Sequence, residues 1–474
     1  MNEVTQKQLL ETLRDTPCTR GAAAKRDVMA SIRVSPAGYF AFAALLTFVS
    51  VILLRTNRDL AALVVVASAW IVIPVVVATD RLYFDGFTLF RSGLLPLFER
   101  LVRGRRPKLT VDEVERVEVA AVRTLRRGGR VRYRYRIEIS GKGRNFIFAS
   151  GGRKFRQMVN ALFPRIADEK LDARACELRD YLCDPKELLE QVNRLGIAAP
   201  SVLENADENA RHRIENRVAT QSAAIDDEAE RGQMLRAIAN RLRIAGRLRE
   251  SAEAFRRALH LAPHDPNLIY EFARLLRSQA SAFSDARLLA RAGAALKLSL
   301  RRGAGDARLA ERVGESFAEF GQPARAAKAF RSAIEIDTDA FRANVGLAEI
   351  ALGDGKLAHV IHHYRDAARV APDAATKRMA RTEADYYSRL NDDDDYLSSE
   401  LRRMNWLESA GRVQQFSARV SFAALFVALT GSFLDQIVAG AGWALASSSI
   451  IGWSGALVVR KFLARRRGLT LTSE

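Results

Sequence analysis

The chain has 474 residues, 48% of them apolar, and a formal net charge of +19. That length exceeds what one hydrophobic core organises, so two or three domains are expected. The positive charge would point to nucleic acid or an anionic surface, but 62 arginines against 12 lysines make arginine abundance poor evidence for phosphate recognition. Cys18, Cys176 and Cys183 lack metal-type spacing, and their odd number excludes a closed disulfide framework, so free thiols in a reducing compartment are expected.

Residues 1–36 form a mostly polar tail, expected to be retained because a second apolar run follows the first at once. The runs 37–54 and 60–79 carry no charge, and each is long enough to cross a hydrocarbon core of roughly 30 Å. Residues 37–79 are therefore read as a transmembrane hairpin.

From 80 to 165 the pattern changes to short alternating apolar runs, at 82–84, 87–90, 114–122, 131–139 and 145–149, with turns at Asp85-Gly86 and Gly128-Gly129. Apolar residues at helical spacing over 155–163 close the segment, which suggests a small β-sandwich or partly open barrel. It holds 21 basic against 8 acidic residues. Arg103, Arg105, Arg106 and Lys108 lie in its densest stretch. Beside a membrane such residues attract anionic lipid headgroups by about 1 kcal/mol each. Nucleic acid is disfavoured: in the run Arg132-Tyr133-Arg134-Tyr135-Arg136 the two residue types face opposite ways on a strand, which turns the tyrosines inward. Gly141-Lys142-Gly143 and Gly151-Gly152-Arg153-Lys154 lack phosphate-loop spacing and read as turns. The hairpin followed by Asp80-Arg81-Leu82-Tyr83-Phe84-Asp85-Gly86-Phe87 resembles the bacterial pleckstrin-homology-like (PH-like) domains that follow membrane hairpins. The resemblance implies a membrane-proximal module for assembly or ligand contact, without catalytic residues.

Residues 166–231 are charged and helical in character, read as a linker with one packed helix around 186–195. A period of 34 residues then relates 307–340 to 341–374: Val313-Gly314 aligns with Leu347-Ala348, Gly321 with Gly355, Phe330 with Tyr364 and Ala333 with Ala367. An earlier copy spans 232–265, through Ala239, Gly246, Phe255 and Pro263, and a stretched copy of 41 residues spans 266–306 with an insertion placed at 279–285. With a capping helix at 375–390, the array covers 232–391. This pattern resembles the tetratricopeptide repeat (TPR), in which small residues let two helices approach and an aromatic fills the gap between repeats.

In that family the first helix of each repeat lines a concave, protein-binding face. By register that face offers Arg236, Asn240, Arg243, Tyr270, Arg274 and Arg277 from the first two repeats, and Glu311, Glu315, Glu319 and Glu349 from the next two. A ligand with one acidic and one basic part would match it. A narrower resemblance, to repeat domains that clamp a C-terminal carboxylate, rests on Arg236, Asn240, Arg308 and Arg312, with Glu271 departing from the pattern.

Residues 392–415 open with the acidic run 392–395 and read as a linker. Apolar runs at 420–434 and 436–459 make 416–459 a second transmembrane hairpin, and 460–474 is a basic tail. Gly440, Gly442, Ala446, Gly452 and Gly455 would permit close helix contact, either within the hairpins or along a homo-oligomer seam. Lys25, Arg26, Arg33, Arg81, Arg91, Arg412, Arg419, Arg460, Lys461, Arg465, Arg466 and Arg467 outnumber Arg55 and Arg58 on the opposite side, which puts both termini and the soluble parts in the cytoplasm. The absence of ionisable residues within the confident spans argues against a transporter. His359, His362 and His363 read as a surface cluster rather than a metal site. No cofactor motif or catalytic constellation stands out, so no enzyme is expected.

The expected architecture is multi-domain: an α-helical TPR solenoid and a small β-rich PH-like domain between two transmembrane hairpins. The expected function is a scaffold or adaptor that recruits a protein at the cytoplasmic face of a bacterial inner membrane. The alternative is a lipid-sensing or envelope-assembly component, in which the basic β domain recognises anionic lipid and the array self-associates.

Overall fold

The computed structural model describes residues 29–34, 37–94, 96–97, 108–125, 131–150, 152–197 and 228–463. Strand β1 (Ala30–Arg33) lies within the segment expected to be a plain polar tail. Helix α1 (Ala37–Arg55) and helix α2 (Asp59–Thr79) follow as an antiparallel pair. Inside α2, Ser68–Val72 widens to a π-helical turn, with the Ile73 N–H reaching back five residues to the Ser68 carbonyl. Pro74, which has no N–H to give and crowds the preceding turn, is the local cause.

The chain then returns to the same sheet. Strand β2 (Arg81–Phe84) pairs antiparallel with β1, Ala30 opposite Phe84 and Arg33 opposite Arg81. Strands β3 (Thr88–Ser92) and β4 (Lys108–Thr110) complete a sheet in the order β1-β2-β3-β4. Strands β5 (Arg116–Leu125), β6 (Val131–Gly141) and β7 (Arg144–Ala149) form a second antiparallel sheet. Alternation works as expected on β6: Val131, Ile137 and Ile139 are buried, while Arg132, Arg134 and Arg136 are exposed. Helix α3 (Arg153–Leu162) sets Phe155, Met158, Val159 and Leu162 against Leu82, Phe84, Ile137 and Phe148, closing one core. The first hairpin is thus tied to the sheet at both ends. At that junction the buried Asp80 carboxylate accepts from Arg91 Nε at 2.7 Å and from the Tyr39 hydroxyl of α1.

Helices α4 (Ala173–Tyr181) and α5 (Pro185–Arg194) come next, each with an aspartate at its N-terminus, Asp172 and Asp184. Their side chains accept from backbone N–H groups that have no intrahelical partner. The array then runs through antiparallel pairs: α6 (Glu228–Ile244) with α7 (Leu248–Leu261), α8 (Pro266–Phe283) with α9 (Ala286–Arg302), α10 (Ala307–Glu319) with α11 (Pro323–Ile336), α12 (Phe341–Gly353) with α13 (Leu357–Arg369). Helix α14 (Ala374–Asp392) caps it. The Phe330 ring is wedged between Gly314 and Gly346, where added Cβ atoms would approach to 2.6 and 2.5 Å. The stretched second repeat needs no inserted loop: α8 simply runs on to Phe283 and stops at Ser284, whose φ is 55°. The expected acidic linker 392–415 is also helical. Asp394–Leu434 forms one helix of 41 residues, α15; Asp393 caps it and Asp394 and Asp395 lie in its first turn, where negative charge offsets the positive end of the helix dipole.

Helix α15 turns at Asp435 into α16 (Gln436–Leu463), and the two pack along their length. Added Cβ atoms at Gly431 and Gly442 would lie 2.6 Å from Ala439 N and 2.5 Å from Ala428 N, whereas those at Gly440 and Gly455 would meet open space. Part of the small-residue series therefore serves contact within the hairpin. Helices α1 and α16 touch, bringing the two hairpins together. Among the described residues, three helices are long and apolar enough to cross a membrane, Asp59–Thr79, Asp394–Phe433 and Gln436–Arg460.

The glycines at the helix turns of the repeats test how closely the β-rich part and the array are joined. Gly246, Gly321 and Gly355 share a left-handed φ of 80°, 70° and 74°. A Cβ at Gly246 would also lie 2.0 Å from the Val131 carbonyl of β6, while nothing stands within 4 Å at the other two. Gly321→Ala or Gly355→Ala should therefore cost about 1 kcal/mol for backbone conformation alone. Gly246→Ala should cost clearly more, read as at least twice the fall in thermal midpoint; equal falls would mean that the close approach to β6 is not kept in solution.

Candidate ligand-binding groove

The side chains expected to face a ligand come from α6, α8, α10 and α12, where residues three and four apart share one face. In the structure that face is covered by the chain's own segment 168–181, within what was expected to be a linker. Helix α4 lies across it, and Asp172, its capping residue, accepts from Ala175 N at 2.6 Å and from Val119 N of β5 at 2.9 Å.

The centre of the contact is Glu177 on α4. Its carboxylate receives Arg243 of α6 at 3.0 Å and Arg274 of α8 at 2.8 Å. All three side chains are buried, at 11%, 7% and 5% exposure. Burial alone would raise the Glu177 pKa, but the two guanidinium groups outweigh it and hold the group at about 2. Arg274 extends the network to Glu319 of α10 at 2.6 Å. One turn beyond Glu177, the Tyr181 hydroxyl donates to Glu271 at 2.9 Å. Glu271 is also gripped by Arg236, through Nε at 2.7 Å and Nη2 at 2.8 Å, and by Asn240 Nδ2 at 2.8 Å. Two carboxylates thus alternate with arginines in a continuous seam, buried at Glu271, Arg243 and Arg274 and partly open at Arg236.

The acidic half of the face meets basic groups of the same chain. Arg174 of α4 approaches Glu319 at 3.7 Å, Arg116 of β5 pairs with Glu349 at 2.9 Å, and Arg342 of α12 bonds both Glu315 and the Asp168 carbonyl. At the far end, the buried Lys170 ammonium pairs with Asp373 at 2.8 Å and Arg378 with Glu115 at 3.0 Å. Apolar cores are shared as well: Ile244 belongs to the β-rich core, Val131 to that of the first repeats, and the Tyr135 hydroxyl donates to the Ile244 carbonyl at 3.0 Å.

Each residue expected at the groove has a definite place. Arg236 and Asn240 converge on Glu271, and Arg243 and Arg274 on Glu177. Arg312 stacks on the Tyr270 ring at 4.5 Å and Arg277 on Phe320 at 5.4 Å. Glu311 accepts from Ala343 N at 3.1 Å, and Arg308 is exposed. The four positions of the carboxylate-clamp pattern therefore share no single partner. Sequence reasoning missed Glu177, Tyr181, Arg342, Arg116 and Lys170. Helical spacing over 173–181 behind the capping Asp172 was the available signal for the first two. Of the residues expected at a membrane surface, Arg103, Arg105 and Arg106 lie outside the described residues, and Lys108 is exposed at the start of β4. His362, His363 and Asp366 place their ligand atoms within 4.8 Å of one another, but Asp366 is already paired with Arg369 and, at 3.2 Å, with His362. Burial pushes the Cys176 thiol up to about 11, so it is a packed rather than a reactive group.

Losing one partner of a buried ion pair costs about 3–5 kcal/mol, so Arg274→Met should destabilise strongly in urea unfolding. Combined with Glu177→Gln the loss should fall short of the sum, by a coupling of about 1.5 kcal/mol or more; strict additivity would show the pair to be unformed. A pH dependence follows from Glu311, which burial raises from its ordinary 4.5 to about 7 against the pull of Arg342. A raised acid contributes stability that is complete below its unfolded value and is lost as pH climbs through the folded one. Asp172, raised by burial to about 6, acts in the same sense. The thermal midpoint should therefore fall between pH 5 and 8, and Glu311→Gln should reduce that fall; an unchanged slope would remove Glu311 as a contributor.

No protein-family model matches the chain, and no curated protein matches it. Among solved structures it is similar to the crystal structure of MamA, with 14% identity and a TM-score of 0.26, over 35% of this chain and 95% of that one. It is also similar to YrrB, described as "a TPR protein with an unusual peptide-binding site", with 14% identity and a TM-score of 0.27, over 41% of this chain and 97% of that one.

Proposed function

We propose that this protein is a membrane-anchored scaffold that recruits or assembles a protein partner at the cytoplasmic face of a bacterial inner membrane. The observation that carries the reading is the unsheltered apolar surface of the two hairpins. Leu60, Leu63, Trp70 and Ile71 on the first, and Phe422, Phe433, Ile437 and Phe462 on the second, are all more than half exposed. Side chains of that size, massed on helices about 30 Å long, belong in hydrocarbon rather than water.

Both ends of the first hairpin enter one sheet, which supports a single side for the tail and the β-rich part. The basic residues flanking the spans support the cytoplasm as that side. Two sheets of four and three strands closed by a helix support the PH-like reading of 80–165, with β1 added from the tail. The repeat array supplies the recognition surface, through charged side chains on the first helices of its repeats.

Topology is open to a direct test by cysteine labelling with a membrane-impermeant maleimide, in a background lacking the three native cysteines. Asn57→Cys and Asp435→Cys, at the tips of the two hairpins, should react in intact spheroplasts. Asp385→Cys, on the array, should react only after permeabilisation. Labelling of Asp385→Cys in intact cells would overturn the cytoplasmic placement.

A further inference from the structure

We infer that α4 is a resident ligand of the concave face, and that this face takes from a partner protein a helix bearing a carboxylate one turn ahead of a tyrosine. The inference rests on the reading of the array as the recognition surface and adds the chemistry of what it recognises.

The face is built around two receptors at helical spacing. Arg243 and Arg274, from successive repeats, converge on one carboxylate at 3.0 and 2.8 Å. Glu271, held in place by Arg236 and Asn240, presents an oxygen to a hydroxyl at 2.9 Å. Glu177 and Tyr181, four residues apart, lie about 6 Å apart along a helix, so one short helix reaches both. The complementarity extends further: the resident helix offers Glu177 to the basic half of the face and Arg174 to its acidic half.

The resident fit is also incomplete. Arg243 Nε and Glu315 Oε2 are buried with no hydrogen-bond partner among the described residues. Both belong to side chains of this face, and a buried polar atom left unpaired is unfavourable relative to one that is bonded. A partner helix that also satisfies these atoms would compete with α4 for the same site. The side of α4 away from the seam packs Ala175 and Leu178 into the β-rich core, so an incoming helix must bring small or apolar side chains at those two places as well. The partner is therefore a protein segment with the pattern Glu-x-x-x-Tyr and a basic residue ahead of the glutamate, the pattern of 174–181 itself.

The test uses the full-length protein in nanodiscs and, as probe, a fluorescent peptide of residues 168–184 with Cys176 and Cys183 replaced by serine. The chain carrying Glu177→Gln and Tyr181→Phe, whose resident helix is weakened, should bind the peptide at least tenfold more tightly than the unaltered chain. A peptide carrying Glu177→Gln should bind that variant at least tenfold more weakly. On the unaltered chain, excess peptide should speed hydrogen exchange in 173–181 while leaving β6 unchanged, a readout that holds even if the variant folds poorly. Slow exchange in 173–181 at every peptide concentration would mark α4 as permanent core and overturn the inference. Equal binding to both chains, unaffected by Arg274→Gln, would put the peptide elsewhere and overturn the inference alone. Rapid exchange in the variant without any peptide binding would sink both the inference and the recruiting role of the concave face, while leaving the membrane topology untouched.

Discussion

A carboxylate taken out of water needs compensation of several kcal/mol, and in this chain the compensation for Glu177 comes from two guanidinium groups on different repeats. Arg243 ends α6 and Arg274 sits in the middle of α8, so they converge only when the first two repeats are stacked in register. Glu177 reaches them only when α4 lies across both. Each guanidinium is a planar fork with donors left over, and the spare donors of Arg274 reach Glu319 on the third repeat. One buried charge thus fixes three repeats and a helix from outside the array relative to one another. The same seam brings β6 against the first helix turn of the array, where Gly246 alone leaves room for the Val131 carbonyl.

That joined body is held to both hairpins by elements that transmit orientation. The antiparallel pairing of β1 with β2 returns the chain to the sheet it left, and Asp80 with Arg91 and Tyr39 ties the sheet to the start of α1. On the other side, α15 passes without interruption from the capping end of the array into the second hairpin. A helix of 41 residues extends about 60 Å, of which roughly half precedes the apolar stretch. Helix α16 packs beside α15 back to Arg403, whose Nη1 donates to the Leu463 carbonyl at 2.5 Å, so the hairpin begins close to the array's capping helix. Attachment at two points, with α1 touching α16, removes the freedom that one flexible tether would leave.

The array was legible because its signals are local: Gly246, Gly321 and Gly355 recur at a turn that needs positive φ, and Phe330 recurs where two small residues let it in. The strands of the β-rich part were legible for the same reason, since alternation is a property of neighbours. What was lost depends on long-range pairing. Residues 30–33 carry no strand pattern long enough to notice, and only β2, nearly fifty residues later, makes them a strand. Residues 168–181 look like a charged linker because their charges, Glu177, Arg174 and Lys170, are neutralised by residues between about seventy and two hundred positions away. Arg236 and Asn240 were expected at the groove, and their partner in the structure, Glu271, was noted only as a departure from a pattern. In the structure that departure provides the anchor for Tyr181.

The two kinds of buried surface in this chain differ in what they select. The two helices of the second hairpin hide Ala428, Ala439 and Ala446 between them and leave large apolar side chains outside, a surface that stays separate only in hydrocarbon. The concave face has few such side chains at its contact with α4. If vacated, its arginines and carboxylates would be hydrated and would pair with one another across the groove, whereas the β-rich core would lose Ala175 and Leu178 of α4 and need an incoming helix to refill it. Because a buried ion pair contributes little net stability relative to an apolar contact of the same size, such a seam selects its occupant by charge placement more than by strength. Specificity then lies in the spacing of Arg243, Arg274 and Glu271, while Ile244 and Val131 add apolar contact between the β-rich part and the array.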